Sequence, residues 1–330
     1  MKKKILFIRL RLLGDIVFTM PAIQLYKKNH PESEIYYLVE ERFREVAEII
    51  PGINKIITVP DRMGIKEIIR FRKNIKKSGI QTVIDFHSGP RSALLTFLSG
   101  AKSRIGYRTP NRNWAYNRLV PRKLENLNAH SVANQARLLT PLGIDTQEIP
   151  AYPEIEISSE NVSDEIAKIV ELKNKVVIHI GAKKRYRDWG IENFSSLIKL
   201  LREDNYNIFL IGKGEEEEKR SRYLKDLFNI HDFTGKLSVR EILFVIAHSD
   251  VYFGADSGPL HLASLTHTPI VALYGPNIPE ISGPFRNEKV TIIQLDLDCI
   301  PCHQKSCKFD EVKCMTGIDV SEVYQAIKKY

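Results

Sequence analysis

The sequence predicts an α/β protein made of two doubly wound halves, each a parallel sheet with helices on both faces. Short apolar runs alternate with stretches of helical period, and this alternation occurs twice along the 330 residues. Between the two series lies the extended, proline-punctuated stretch Glu148-Ile149-Pro150-Ala151-Tyr152-Pro153, which reads as a linker. The expected domains are therefore 1–152 and 153–330, each large enough to bury its own core.

In the first half, residues 4–10 read as a buried strand, Leu12-Leu13-Gly14-Asp15 as a tight loop, and 16–28 as a helix. Strands at 34–39, 55–59 and 82–86 alternate with helices at 41–50, 65–77 and 90–99. The polar, Arg- and Asn-rich stretch 107–117 reads as a long surface loop, and 129–142 as a helix stopped by Gly143. In the second half, strands at 175–180, 207–211, 251–253, 270–273 and 290–294 interleave with helices near 191–204, 215–228, 238–248 and 257–267. A closing helix over 319–330 is free by pattern to pack back on the first domain.

An apolar content of 43% and a net charge of +9 describe a globular chain with a basic surface. The charge is divided unevenly. Residues 1–150 carry 26 Lys and Arg against 13 Asp and Glu, whereas 151–330 carry 23 against 27. A basic first half suits an acidic acceptor, an anionic membrane surface or nucleic acid. The cations at 70–77 read as a solvated face. Arg9, Arg11 and Asp15 interrupt the apolar N-terminal run before a secretory signal is complete, and no window has the length to span a bilayer, so the expected place is the cytoplasm.

Candidate chemistry gathers at strand ends, where α/β sheets bind ligands. Gly254-Ala255-Asp256-Ser257-Gly258-Pro259-Leu260-His261 follows an apolar strand and opens a helix. Asp256 reads as its N-cap, and such a turn either presents N–H groups to a phosphate or is an ordinary strand-to-helix turn. Asp15, beside Gly14 at the end of the first strand, reads as a general base or as a helix cap. Lys183-Lys184-Arg185-Tyr186-Arg187 puts four cations at another strand end, facing an anion such as a diphosphate or water. Ile211-Gly212-Lys213-Gly214 and Glu215 to Glu218 form a glycine-containing turn before an acidic helical start. It lacks the P-loop pattern, but one glutamate can accept hydrogen bonds from a ribose. Asp296-Leu297-Asp298 has the form of a metal-binding triplet, which chance also produces. Cys299, Cys302, Cys307 and Cys314 fit a zinc knuckle, two local disulfides or a reduced structural clip.

Taken together, Arg9-Leu10-Arg11-Leu12-Leu13-Gly14-Asp15-Ile16-Val17 with Pro21-Ala22 resembles the opening of glycosyltransferase family 9, the ADP-heptose:lipopolysaccharide heptosyltransferases. Asp85-Phe86-His87-Ser88 with Arg91-Ser92-Ala93, Arg104-Ile105-Gly106-Tyr107, the 256–261 motif and Leu273-Tyr274-Gly275-Pro276 are similar to the same family, and the cysteine tail resembles its type II branch. The resemblance covers essentially the whole chain. It implies a GT-B fold, two Rossmann-like domains facing across a cleft, with the acceptor on the first and the ADP-sugar on the second. It implies inverting transfer of heptose to the lipopolysaccharide inner core with no cofactor and no metal. Asp15 falls on the catalytic base, and Arg187 stands where relatives carry a lysine of a K-x-W-type motif. Donor-binding residues would be Lys183, Lys184, Glu216, Asp256, Ser257, Gly258, Leu260 and His261. Acceptor-binding residues would be Arg9, Arg11, Gly14, His87 and Arg91. The expected partners are the ADP-sugar, a lipid A-Kdo type acceptor and the anionic inner face of the inner membrane, met peripherally, with no nucleic acid. Transfer of a different sugar is the alternative within the class. A nucleic-acid-binding protein with a zinc knuckle is the alternative outside it, and it lacks interleaved aromatics or a recognition helix.

Overall fold

The computed structural model describes residues 2–122, 129–181, 185–285, 288–309 and 311–330. The chain divides into two compact units, Met1–Ile155 and Glu156–Tyr330. The first unit holds β1 (Lys4–Ile8), β2 (Glu34–Glu40), β3 (Lys55–Val59), β4 (Thr82–Asp85), β5 (Ser103–Arg108) and β6 (Arg118–Pro121). The second holds β7 (Lys175–His179), β8 (Asn207–Ile211), β9 (His231–Asp232), β10 (Val251–Ala255), β11 (Ile270–Leu273) and β12 (Val290–Ile293). All pairings are parallel, in the orders β3-β2-β1-β4-β5-β6 and β12-β11-β10-β7-β8-β9. Strands buried on both faces need continuous apolar runs, which is what Ile5 to Ile8, Val176 to Ile178 and Val251 to Phe253 supply.

Each order reverses once. The chain winds outward from β1 through β2 to β3, then returns to place β4 beside β1; likewise β10 lands beside β7 after β8 and β9. At such a reversal the loops after the two central strands diverge to opposite faces and leave a crevice at the carboxyl ends. Ile8 pairs with Asp85, and Gly254 with His179, so the residues that follow each pair emerge side by side.

Several boundaries depart from the sequence expectation. The stretch 107–117 is no surface loop: β5 runs to Arg108, a short 3-10 turn covers Asn113–Ala115, and Tyr107, Ala115 and Tyr116 are buried. The Tyr116 ring lies where a side chain on Gly106 would stand, so the glycine admits the aromatic and the polar residues around it face out. The helix expected over 129–142 is broken into Ser131–Arg137 and the 3-10 turn Thr140–Leu142, where Pro141 cannot continue the ladder. The first loop is tighter than expected, since a helix already begins at Leu13.

The closing helix Val320–Lys328 packs within the second unit. Val323 and Ile327 enter that unit's core, Lys328 Nζ reaches Asp204 at 2.7 Å, and the Tyr324 hydroxyl donates to the same carboxylate. Trp189, 1% exposed, packs edge-on against Phe194 and Phe253 and donates its indole N–H to the Ile318 carbonyl at 3.1 Å. The indole thus joins the strand-end turn, the sheet and the segment leading into the closing helix. Among the described residues no helix is long and apolar enough to cross a membrane.

Trp189→Ala removes both the ring and the donor, so we expect a loss of about 3–5 kcal/mol in the second unit's stability. Urea unfolding followed by circular dichroism reads this, and a loss under 1 kcal/mol would show that the ring is not the pin.

Candidate active site

Two clusters stand at the two reversal points. In the first unit, the chain leaving β1 carries Arg9, whose side chain is nearly buried and whose Nη1 donates to the Phe86 carbonyl at the end of β4 (2.8 Å). Its Nη2 lies 2.5 Å from Asp15 Oδ2. Asp15 is the third residue of the helix Leu13–Val17, and the same Oδ2 also accepts weakly from the Leu12 N–H at 3.4 Å. Both contacts fall on one oxygen, so Arg9 and the Leu12 N–H hold the carboxylate by Oδ2. Gly14 is buried beneath this turn, and Arg11 is exposed next to it.

β4 ends on Asp85, fully buried, which accepts from the N–H groups of His87 and Ser88 (both 2.9 Å) and from the Tyr116 hydroxyl (2.7 Å). Burial raises the Asp85 carboxyl above its ordinary range, against the pull of these donors. His87 sits above it with its pKa lowered to about 4, first by burial and then by Arg9 and Arg11. Arg91 is spent elsewhere. Its guanidinium meets the buried Glu40 carboxylate at 2.6 Å and the Asp61 carbonyl, while Arg42 takes the other Glu40 oxygen at 2.7 Å. Arg91 therefore orders the ends of β2 and β3, and its expected direct contact with an acceptor finds no support in its geometry.

In the second unit the cap of the helix Gly258–Ala263 is Ser257, not Asp256. Asp256, 4% exposed, is instead an ion-pair partner: Arg187 Nη1 lies 3.2 Å from its Oδ2 and donates to its carbonyl at 2.9 Å. Asn277, after β11, donates to the same carboxylate, and Gln304 donates to Asn277 Oδ1 at 2.7 Å. Arg187 Nε is buried and makes no hydrogen bond among the described residues. The Ser257 hydroxyl lies 3.1 Å from His179 Nδ1, and His179 Nε2 lies 3.6 Å from Glu217 Oε2. Gly258 opens the helix, while Leu260 and His261 are buried. Lys183 and Lys184 lie outside the described residues.

Of the four glutamates, the structure turns Glu217 into the strand ends and leaves Glu216 exposed. The Lys213 N–H donates to Glu217 Oε2 at 2.7 Å, and the carboxylate fills the space over Gly181 and Gly212 that a side chain there would take. Burial pushes the Glu217 carboxyl up, but His179, the Lys213 N–H and Arg220 together hold it below its ordinary range. Asp188 behind it is clamped by both Arg220 Nη atoms, at 2.8 and 2.6 Å. His179 and Asn277 stand at these strand ends although sequence reasoning did not mark them, and Glu217 stands there where Glu216 was the glutamate chosen from the four. A histidine ending the apolar run Val176-Val177-Ile178 was the available signal.

The cysteines are unpaired thiols, and among the described residues no His, Cys, Asp or Glu group is arranged to hold a metal ion. Cys314 is pushed up to about 11 by burial and by the neighbouring Cys302, Cys299 and Cys307. The Cys302 N–H bonds the Pro276 carbonyl at 3.1 Å, which fastens this stretch to the end of β11. Asp298 pairs with Lys308 at 2.8 Å.

His87 also makes stability depend on pH. Its folded pKa is depressed from 6.5 to about 4, so the unfolded chain binds the proton first as pH falls. Stability is therefore complete above pH 6.5 and falls through the window down to pH 4, by up to about 3 kcal/mol. Urea midpoints across this range should fall less steeply in His87→Gln; equal slopes would refute the assignment.

A model of glycosyltransferase family 9 (heptosyltransferase) matches residues 68–313. The lipopolysaccharide core heptosyltransferase OpsX of Haemophilus influenzae is 22% identical over 292 residues, covering 86% of this chain and 82% of its own. Among solved structures, a family 9 glycosyltransferase of Veillonella parvula superposes with TM-score 0.85 at 22% identity, over 99% of this chain and 96% of that one. The Escherichia coli ADP-heptose lipopolysaccharide heptosyltransferase II does so with TM-score 0.82 at 19% identity, over 99% and 98%. At these identities the structural likenesses speak for the fold, a GT-B pair of Rossmann-like sheets. The family model spans most of the chain, including the strand-end residues from Asp85 to Asn277, and the chain therefore belongs to glycosyltransferase family 9 and is a glycosyltransferase.

Proposed function

We propose that the chain transfers heptose from ADP-heptose to the inner core of lipopolysaccharide, with inversion and without a metal ion. The observation that carries this reading is the pairing of functions at the two sheet reversals: a carboxylate held by one oxygen in the first unit, and a guanidinium over a helix-opening turn in the second. The relatives' names supply the sugar and the acceptor class.

In this reading Asp15 Oδ1 takes the proton from the acceptor hydroxyl as that oxygen attacks the anomeric carbon, while the bond to the diphosphate breaks on the opposite side. Arg9 holds the carboxylate's other oxygen, so Asp15 does not have to reorient during attack. Charge growing on the leaving diphosphate is met by the Arg187 guanidinium and by the N–H groups of the turn after Ser257. Asp256 acts on this indirectly, by fixing Arg187. Leu260 and His261 are buried and serve through their backbone. Lys183 and Lys184 remain candidates for the same anion. Glu217 replaces Glu216 as the acceptor of ribose hydroxyls, because its carboxylate already stands at the strand ends in the ionised form. Arg11 and His87 would face the acceptor beside Asp15. The domain assignment follows: residues 1–152 for the acceptor and 153–330 for the donor. The enzyme would work at the cytoplasmic side of the inner membrane, attached peripherally.

Asp15→Asn should keep the fold and ADP-heptose binding while turnover with a truncated core acceptor falls roughly 10²–10⁴-fold; full turnover would remove Asp15 from the role of base. Product anomericity read by NMR decides inversion. Glu217→Gln should weaken ADP-sugar binding about 10–100-fold by calorimetry, through loss of a charged acceptor, and Glu216→Gln should change it less than about twofold. A larger thermal shift with a uridine donor than with ADP-heptose would displace the donor assignment.

A further inference from the structure

The helix Ile65–Ser78 connects β3 to β4 and presents two unlike faces. Phe71 and Ile75 are buried in the first unit's core cluster with Leu6, Ile8 and Val83. On the outward face stand Ile65 and Ile69, 78% and 61% exposed, one turn apart. At about 100° per residue, Arg72, Lys73 and Lys76 fall on the same face as the two isoleucines, and Lys66, Arg70 and Lys77 flank it. All six cations are exposed, and the only carboxylate of the helix, Glu67, is half-buried and off this face.

Solvation alone accounts for the cations but not for two exposed isoleucines placed among them. Apolar side chains ringed by Lys and Arg are complementary to one kind of surface, a layer of anionic headgroups above acyl chains. The ammonium and guanidinium groups meet the phosphates, and the branched side chains enter beneath them.

We propose that the outward face of the helix Ile65–Ser78 docks the protein on an anionic bilayer. The inference rests on the reading above that the acceptor is lipid-borne, and it names the surface that would bring the first unit to it.

Co-sedimentation of the full chain with phosphatidylglycerol/phosphatidylethanolamine vesicles, against phosphatidylcholine vesicles, tests this directly. Binding should favour the anionic vesicles and weaken with salt. Arg72→Gln/Lys73→Gln/Lys76→Gln should lower it about a hundredfold, at roughly fivefold per cation. Ile65→Ser/Ile69→Ser should lower it about tenfold while leaving the salt dependence intact. Thermal midpoints should not move, since every altered side chain is exposed. Turnover of both variants on a lipid-free core oligosaccharide should equal that of the parent. If the transferase reading itself is wrong, that turnover is absent in the parent too, and the vesicle result still stands or falls alone. The proposal is overturned by equal binding to both vesicle types or by variants that bind like the parent. Tighter binding to duplex DNA at physiological salt, lost in the triple variant, would also overturn it.

Discussion

The buried carboxylate of Asp256 is the constraint around which the second unit's strand ends are arranged. A carboxylate 4% exposed is costly unless it is paired and hydrogen-bonded. Arg187 provides the charge, Asn277 a further donor, and Gln304 fixes Asn277. These partners come from the turn after β7, the loop after β11 and the cysteine-bearing stretch. Each must therefore be in place for the ion pair to be stable, and Trp189 and Asp188, next to Arg187 in sequence, are pinned to the core and to Arg220. One desolvated charge thereby makes four separate segments interdependent.

The first unit solves the corresponding problem differently. Asp85, at the equivalent position beside the first strand, is held by two backbone N–H groups and by the hydroxyls of Tyr116 and Ser92, with no cation on it among the described residues, and burial leaves its carboxyl raised. The cation at that reversal, Arg9, goes instead to Asp15, which is partly exposed. The contrast is one of engagement: Asp15 is held through one oxygen and stays partly exposed, whereas Asp256 is buried between Arg187 and Asn277.

Most of this architecture could be read from the chain because parallel strands buried on both faces leave long apolar runs, and because Gly14-Asp15 and 256–261 sit directly after such runs. What escaped the reading was short or depended on side-chain direction. β6 and β9 are edge strands of four and two residues, too short to leave a periodic signal. The choice between Glu216 and Glu217 turns on the phase of a helix start, which four consecutive glutamates hide. Asp256 looked like a cap because aspartate commonly is one; that its carboxylate turns to Arg187, 69 positions earlier, follows from strand order and not from local pattern. His179 had no neighbouring motif to mark it.

The excess positive charge of the first half separates, on inspection, into two populations. Arg9, Arg42 and Arg91 are consumed by carboxylates, two of them on the buried Glu40, and they contribute order to the strand ends but little long-range field. The six cations of the helix Ile65–Ser78 are exposed, share their face with no carboxylate of that helix, and lie among exposed isoleucines. Spent cations report on the site and unspent ones on the surroundings, so a basic half-chain carries two messages that a net charge adds together. The second unit, with a slight excess of acid, keeps the cation Arg187 beside the buried Asp256 at its strand ends. On the proposed reading, an attraction to an anionic surface then acts on the first unit, the unit assigned to a lipid-borne acceptor.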